Sequence, residues 1–321
     1  MRLLIKFEDG QGVGNQLWNY ITLYNYAYYN DVETELDFKS CYKIIELMGN
    51  DEFKKFHKIY LDEDYDVYQL KADYIFEEVF YSEERVRDAV GKLNESQKST
   101  ELIWIRGVMQ DVSALEGFTE TPLYRFIRQC FRKESEKEMG LLLHVRGGDF
   151  LSTPSCLTRS YYAAALRVAK VAGFCNPAIV TNDIAYCDFL LPGFEIFSNS
   201  SDSPTNASHH IGGNLKDDFS ALVQADCLII SNSTFAFWAA YFSDALIISP
   251  SGWFSSNFAR DFSSPQNFQI RSWVRVDSSV WLLPKIKLSW GHLGAMLYRA
   301  YKTYFRLRSK YLRLCKKTDW R

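Results

Sequence analysis

The chain has 321 residues, 47% hydrophobic and 24% charged, proportions that suit a compact globular protein of about two domains and exclude collagen-like, coiled-coil and disordered classes. The net charge of -2 hides an asymmetry: 11 of the 37 Lys and Arg fall in residues 285–321 against one of the 39 acids, so residues 1–284 hold 26 bases and 38 acids. An acidic body of that size repels a polyanion, which excludes extended nucleic-acid binding.

In chain order, residues 3–7 form a short apolar run that predicts a strand. Gly10, Gly12 and Gly14 follow as a glycine loop, and residues 17–29, rich in aromatics, predict a helix. The apolar stretch at the N-terminus stops at Lys6, too short for a secretory signal, and no run of about 18 apolar residues occurs elsewhere. The seven cysteines are scattered, with no C-x-x-C pair, so neither a disulfide framework nor a zinc site is indicated and a cytoplasmic location is expected. Residues 30–100 alternate acids, lysines and aromatics without a period and are read as helices and loops. Residues 102–105 predict a strand and residues 122–137 a helix with a charged connector, which places a domain boundary between 105 and 140.

From residue 140 the pattern sharpens. Apolar strands are predicted at 141–145, 178–180, 194–197, 227–230 and 245–248, and helices at 161–172, 184–191, 217–225 and 234–242. Apolar strands alternating with helices predict a parallel sheet covered on both faces, a doubly wound α/β fold. Such sheets deliver ligand-binding loops at the carboxyl ends of their strands. Those loops are residues 144–150, Asn182 and Asp183, residues 231–235 and residues 250–254.

His144, Val145, Arg146, Gly147, Gly148 and Asp149 form the most informative stretch. An arginine directly after a buried strand, followed by two glycines, suits bidentate contact with a phosphate. The same residues also fit a buried histidine and an Arg–Asp pair closing a turn. A helix starting at Thr234 or Phe235, capped by Asn232 or Ser233, would turn its positive end toward an anion. Asp218 could accept the paired N1 and N2 donors of a guanine, or serve with Asp217 as an ordinary helix cap. The dinucleotide pattern G-x-G-x-x-G, with Glu35 or Asp37 as ribose acid, breaks at Asn15, where the third glycine is required. Asp62, Asp64 and Asp66 imitate a calcium loop that fails at Val67, and as D-x-D pairs they lack a preceding strand. No G-x-S-x-G, H-E-x-x-H or Walker loop is present.

Three segments together resemble the bacterial alpha-1,2-fucosyltransferases. Residues 12–17 (G-V-G-N-Q-L) are similar to that family's G-G-L-G-N-Q opening, residues 144–149 to its H-x-R-R-x-D signature, and residues 231–240 to its S-N-S-S-F-S-W-W-A-A. Pro250, Trp253 and Phe254 match a later P-x-x-W-F. The departures are Gln11, in place of the first glycine of a pair, and Gly147, where the family often carries a second arginine.

The resemblance implies two Rossmann-like domains facing a cleft, a GT-B-like architecture. Residues 1–130 would lie on the acceptor side, 131–290 would bind GDP-fucose, and 291–321 would form a basic amphipathic helix. It implies inverting, metal-independent transfer of L-fucose from GDP-L-fucose to the 2-hydroxyl of a beta-galactoside in a glycan, in bacterial surface polysaccharide synthesis such as O-antigen or capsule. Arg146, Asn15 and Asp149 would be catalytic. His144, Arg146, Gly148, Asp218, Ser231, Asn232, Ser233, Thr234 and Phe235 would hold the donor, and Gly12, Gly14 and Gln16 would form the glycine loop. Asp149, Glu8 and Asp9 are the carboxylates nearest these motifs, with Asp149 read as structural more than as a base. Residues 293–317 fit either peripheral contact with an anionic membrane or a closing helix. A non-catalytic carbohydrate-binding or nucleotide-binding protein, stacking sugars on Trp238 and Trp253, is the alternative.

Overall fold

A computed structural model describes residues 2–8, 10–57, 74–80, 102–108, 110, 112–131, 139–148, 157–191, 195–196, 214–253 and 270–277. Asp9, Asp149, Phe254, the acids at 62–66 and residues 293–317 lie outside the described residues. Among the described residues, no helix is long and apolar enough to cross a membrane.

The N-terminal half is built from β1 (Arg2–Ile5), α1 (Val13–Asn30), β2 (Glu33–Leu36), α2 (Tyr42–Met48), α3 (Asn50–Phe56), β3 (Tyr74–Phe80) and β4 (Leu102–Val108). Its four strands form a parallel sheet in the order β2-β1-β4-β3. Two short 3-10 turns, Val112–Leu115 and Phe118–Glu120, lead to α4 (Pro122–Cys130). The start of α4 follows capping chemistry: the Thr121 side chain accepts a hydrogen bond from the Tyr124 amide, and Pro122 fills the first helical position.

The C-terminal half continues with β5 (Leu141–Val145), α5 (Arg159–Val171), β6 (Ala178–Thr181), α6 (Ile184–Leu190) and β7 (Glu195–Ile196). It closes with α7 (Leu215–Gln224), β8 (Cys227–Ile229), α8 (Thr234–Phe242), β9 (Leu246–Pro250) and β10 (Val274–Val276). Its six strands are all parallel in the order β10-β9-β8-β5-β6-β7. Every residue of β5 is buried, as expected of a strand covered on both faces. The strand period of two sorts its side chains between two cores. Leu142, Leu228 and Ile247 join the aromatics of α1 and α8, while Leu141, Leu143, Val145 and Ile229 pack with Tyr161 and Tyr162 of α5.

The predicted strands and helices of this half are present, with ends displaced by at most two residues and with 141–145 and 234–242 unshifted. The larger departures are in the first half. Residues 30–100, read as helices and loops, contain β2 and β3. Both are edge strands, so neither needs the continuous apolar run that marks a central strand; β2 reads Glu-Thr-Glu-Leu and is only partly buried. The predicted glycine loop is also shorter than expected. The helix begins at Val13, which places Gly14, Asn15 and Gln16 in the first turn of α1 and leaves Gly12 as its cap.

Helix α1 has no single apolar stripe: 13 of its 18 residues are buried, because it is covered on several sides. Its N-terminal turn abuts that of α8. Trp18 stacks against Phe237 and Trp238 with ring centroids 4.8 and 4.7 Å apart, and both tryptophans are fully buried. Burial of this kind contributes at most about 6 kcal/mol per tryptophan. The Trp238 indole Nε1 donates to the Gly14 carbonyl at 3.1 Å. A Cβ at Gly14 would lie 2.5 Å from both the Phe235 nitrogen and Thr234 Oγ1, whereas one at Gly12 would meet nothing within 4 Å. Gly14→Ala is therefore expected to lower stability by about 1–3 kcal/mol and Gly12→Ala to change it little. Urea denaturation of the two variants, compared with wild type, checks the contrast.

Candidate functional site

In the six-stranded sheet the chain proceeds from β5 to β6 and β7 on one side, then returns to place β8, β9 and β10 on the other. Numbered by appearance, the strands run 3-2-1-4-5-6, the order of nucleotide-binding sheets. The connections diverge between β5 and β8, which opens a crevice at the carboxyl ends of those two strands. Arg146 leaves β5 there, and residues 231–234 leave β8.

A buried hydrogen bond ties the two strand ends together: His144 Nδ1 lies 2.7 Å from Ser231 Oγ. Burial, helped by the positive charge of Arg146, pushes the His144 pKa down to about 3. His144 is thus a neutral brace and contributes no positive charge to an anion. From beneath, Tyr161 of α5 donates to the Ile230 carbonyl at 2.6 Å and Tyr162 to the His144 carbonyl at 3.4 Å.

The two glycines after Arg146 serve a neighbouring loop. The Gly147 amide donates to Asn182 Oδ1 and the Gly148 amide to Asp183 Oδ2, both at 2.9 Å. Asp183 also caps α6 through its other oxygen, 3.0 Å from the Tyr186 amide. Both amides are thus used within the protein. A Cβ at Gly147 would stand 2.6 Å from Asp183 Cβ and 3.0 Å from the Tyr186 ring, so the backbone as folded has no room for a second arginine there. Gly148 has φ +64°, the left-handed region that glycine tolerates without strain.

Across the crevice, Asn15 connects the halves. Its Oδ1 accepts from Thr234 Oγ1 at 2.9 Å and from Gln110 Nε2 at 2.8 Å. With both acceptor positions used, the Asn15 Nδ2 group is the part of the side chain that remains to meet a bound molecule. Helix α8 begins at Thr234 as predicted, with Ser233 at the cap position, but no side chain caps it and its first turn carries no acid. Asn232 instead donates to the Trp253 carbonyl at 2.9 Å. The expected Asn232 or Ser233 cap is corrected accordingly. The close approach of Gly14 also covers the Phe235 amide, so α1 closes part of this helix start.

Phe235 is partly exposed, with its ring 5.9 Å from that of His144 and 5.3 Å from that of Phe219. The second contact brings the start of α7 close, and with it Asp218. Half-burial, followed by the charge of Asp217, raises the Asp218 pKa. Gln16 is buried and has a weak 3.5 Å contact with the Gln11 carbonyl. Asp37, a candidate ribose acid, is buried against Lys6 at 3.1 Å, which commits its charge within the sheet.

The structure therefore gathers His144, Arg146, Gly148, Ser231, Asn232, Ser233, Thr234, Phe235, Asn15 and Gly14 around the strand ends. Gln110 was missed by sequence reasoning. It follows β4 at a carboxyl end, and that placement was the only signal available.

Residues 120–277 match the profile of glycosyl transferase family 11. That segment is 158 of the 321 residues, and over it the chain is similar to that family. The matched segment carries β5, β8, α8 and the crevice between them, while Asn15 and Gln110 fall outside it. An O-antigen biosynthesis glycosyltransferase, WbnK of Escherichia coli, is 26% identical over 130 residues, which cover 36% of this chain and 39% of that protein. The alignment thus spans about two fifths of the length of that curated relative. A crystal structure of NodZ alpha-1,6-fucosyltransferase soaked with GDP-fucose aligns with a TM-score of 0.40 at 16% identity, covering 75% of this chain and 92% of that one.

The buried His144 gives this structure a pH signature. Its pKa is about 3 in the fold and about 6.5 in the unfolded chain. The unfolded state alone takes the proton between those values, so stability is complete above pH 6.5 and falls as the pH drops toward 3, by about 1.4 kcal/mol per unit. His57, pushed down to about 4 by burial, adds a second loss of the same sign. Denaturant unfolding between pH 7.5 and 5 should show this fall, with a slope smaller by one proton in His144→Gln.

Proposed function

We propose that the protein is an inverting, metal-independent fucosyltransferase that uses GDP-L-fucose. The observation that carries this reading is the position of Arg146. It leaves the central strand β5 at the point where the sheet reverses, with the uncapped start of α8 on the other side of the crevice. The family match over the same residues adds to it, as does the O-antigen biosynthesis named for the WbnK relative.

In this reading the diphosphate lies over the crevice and Asp218 accepts the two donors of the guanine edge. The acceptor hydroxyl attacks C1 of fucose from the face opposite the phosphate. The C1–O bond to phosphate breaks as the new glycosidic bond forms, converting a beta-linked donor into an alpha-linked product. Negative charge grows on the departing GDP, where the Arg146 guanidinium and the N-terminal dipole of α8 stabilise it. Asn15, its amide oriented by Gln110 and Thr234, offers Nδ2 to the fucose or the incoming hydroxyl. His144 and Ser231 keep the strand ends in register. The hydroxyl proton leaves to one of the carboxylates nearest these motifs in the sequence, Asp149, Asp9 or Glu8, or to solvent.

The acceptor proposed is the 2-hydroxyl of a beta-galactoside within a bacterial surface polysaccharide. The division at residues 130 and 290 and a peripheral membrane contact through residues 293–317 belong to the same proposal. Incubation with GDP-fucose, other sugar nucleotides and a panel of beta-galactosides should give an alpha-1,2-linked product with GDP-fucose alone, and turnover should survive chelation of divalent cations. Arg146→Ala and Arg146→Lys should each lose on the order of 100-fold to 1,000-fold in kcat with an unchanged melting temperature. Near-normal turnover in either variant, or full dependence on manganese, would overturn the mechanism.

A further inference from the structure

The turn after β6 stands beside Arg146 and carries a polar group that the protein uses only in part. In the pairing of β5 with β6, His144 is opposite Val180 and Val145 is opposite Thr181. One step further along this parallel register, Asn182 comes beside Arg146 on the neighbouring strand, about 4.8 Å away. Alternation along the strands sorts the pairs between the two faces. Leu142 and Val180 lie in the core that holds the aromatics of α1 and α8, whereas Leu143 and Ile179 lie in the opposite one. Arg146 and Asn182 thus fall on the face from which His144 meets Phe235, at the carboxyl edge where such sheets bind their ligands.

The chain itself orients the Asn182 amide. The Gly147 N–H donates to Asn182 Oδ1 at 2.9 Å, and because a backbone N–H only donates, the oxygen must face the glycine and Nδ2 is left to point away from it. Nδ2 lies 3.1 Å from the place that a Cβ at Gly148 would take, and no other atom beyond the adjoining residues comes within 4 Å of that place. A side chain at 148 would press on the nitrogen; glycine leaves it uncovered, and Asn182 is exposed. Among the described residues, none accepts from Nδ2. The support beneath is rigid. The Asp183 amide donates to Thr181 Oγ1 at 3.1 Å, while the Asp183 carboxylate holds the Gly148 amide and caps α6.

This group carries two N–H donors and no acceptor. Set one strand spacing from a guanidinium, it matches a ligand that brings negative charge and several lone pairs close together, as a phosphate does, and a charged acceptor makes the stronger bond. The amide itself adds no charge, so it selects by geometry while the arginine attracts.

We infer that Asn182 is a second phosphate-binding residue of the crevice, donating through Nδ2 to an oxygen of the diphosphate that Arg146 also holds. The inference rests on the reading of the crevice as a GDP-sugar site. The test is isothermal titration of the full chain with GDP, inorganic pyrophosphate and guanosine. Asn182→Asp keeps an oxygen for the Gly147 amide and removes the donor, whereas Asn182→Ala removes the donor without adding charge. Each variant should bind GDP and pyrophosphate about tenfold more weakly than wild type, or worse, and guanosine equally well. Asn182→Asp should also keep the wild-type melting temperature. Weakening in Asn182→Ala alone would mean that the side chain only supports the turn, and weakening in Asn182→Asp alone would mean charge repulsion without a bond; either result overturns the assignment. An equal loss of guanosine affinity does so too, since the contact would then be to base or ribose. Failure of wild type to bind GDP would remove the transferase reading and this assignment with it, whereas GDP binding that both variants leave unchanged removes this assignment alone.

Discussion

The architecture depends on one close approach, the first turn of α1 against the first turn of α8 at Gly14. The absent side chain lets the Gly14 carbonyl take the Trp238 indole hydrogen and lets Trp18 reach Phe237 and Trp238. Because α1 follows the first strand of one sheet and α8 follows the fourth strand of the other, this contact fixes how the carboxyl ends of the two sheets meet. Asn15, one residue further, is then within hydrogen-bond reach of Thr234. The same packing that stabilises the core thus brings a residue from the first 20 to the edge of a crevice built more than 100 residues later.

Polarity around the crevice is arranged so that almost every group holds another. His144 holds Ser231, Asn182 and Asp183 hold the amides of Gly147 and Gly148, Gln110 and Thr234 hold Asn15, and Asn232 holds the Trp253 carbonyl. Preorganisation of this sort lowers the reorganisation that charge development would otherwise require. It also separates two kinds of contribution. The neutral His144 sets geometry, while Arg146 and the start of α8 supply the positive potential.

Much of this was legible in the sequence, for physical reasons. Residues 141–145 announce a strand because burial on both faces favours a nearly continuous apolar run, here interrupted only by His144, and the start of α8 is marked by Ser233 and Thr234 ahead of an apolar segment. The edge strands β2 and β3 were not legible, since an edge needs pairing on one side only and tolerates Glu33, Glu35 and Glu77. Nor could the sequence reveal where Gly147 and Gly148 spend their amides, because their partners lie 35 residues away. Gln110 and Asn15 are 95 residues apart, and no local pattern encodes a pairing at that distance. Side chains chosen by tertiary neighbours are the part that periodicity and motif spacing leave out.

The contact between Gly147 and the Asp183 side chain links two positions that the chain keeps far apart. A bulky residue at 147 becomes admissible only if the turn at 182–183 retreats, and a retreat there would release both the Gly148 amide and the cap of α6. The two sites must therefore change together or not at all. Sequences descended from this one should pass between the single-arginine and double-arginine forms through the smaller turn first, since the opposite order traverses an overcrowded intermediate.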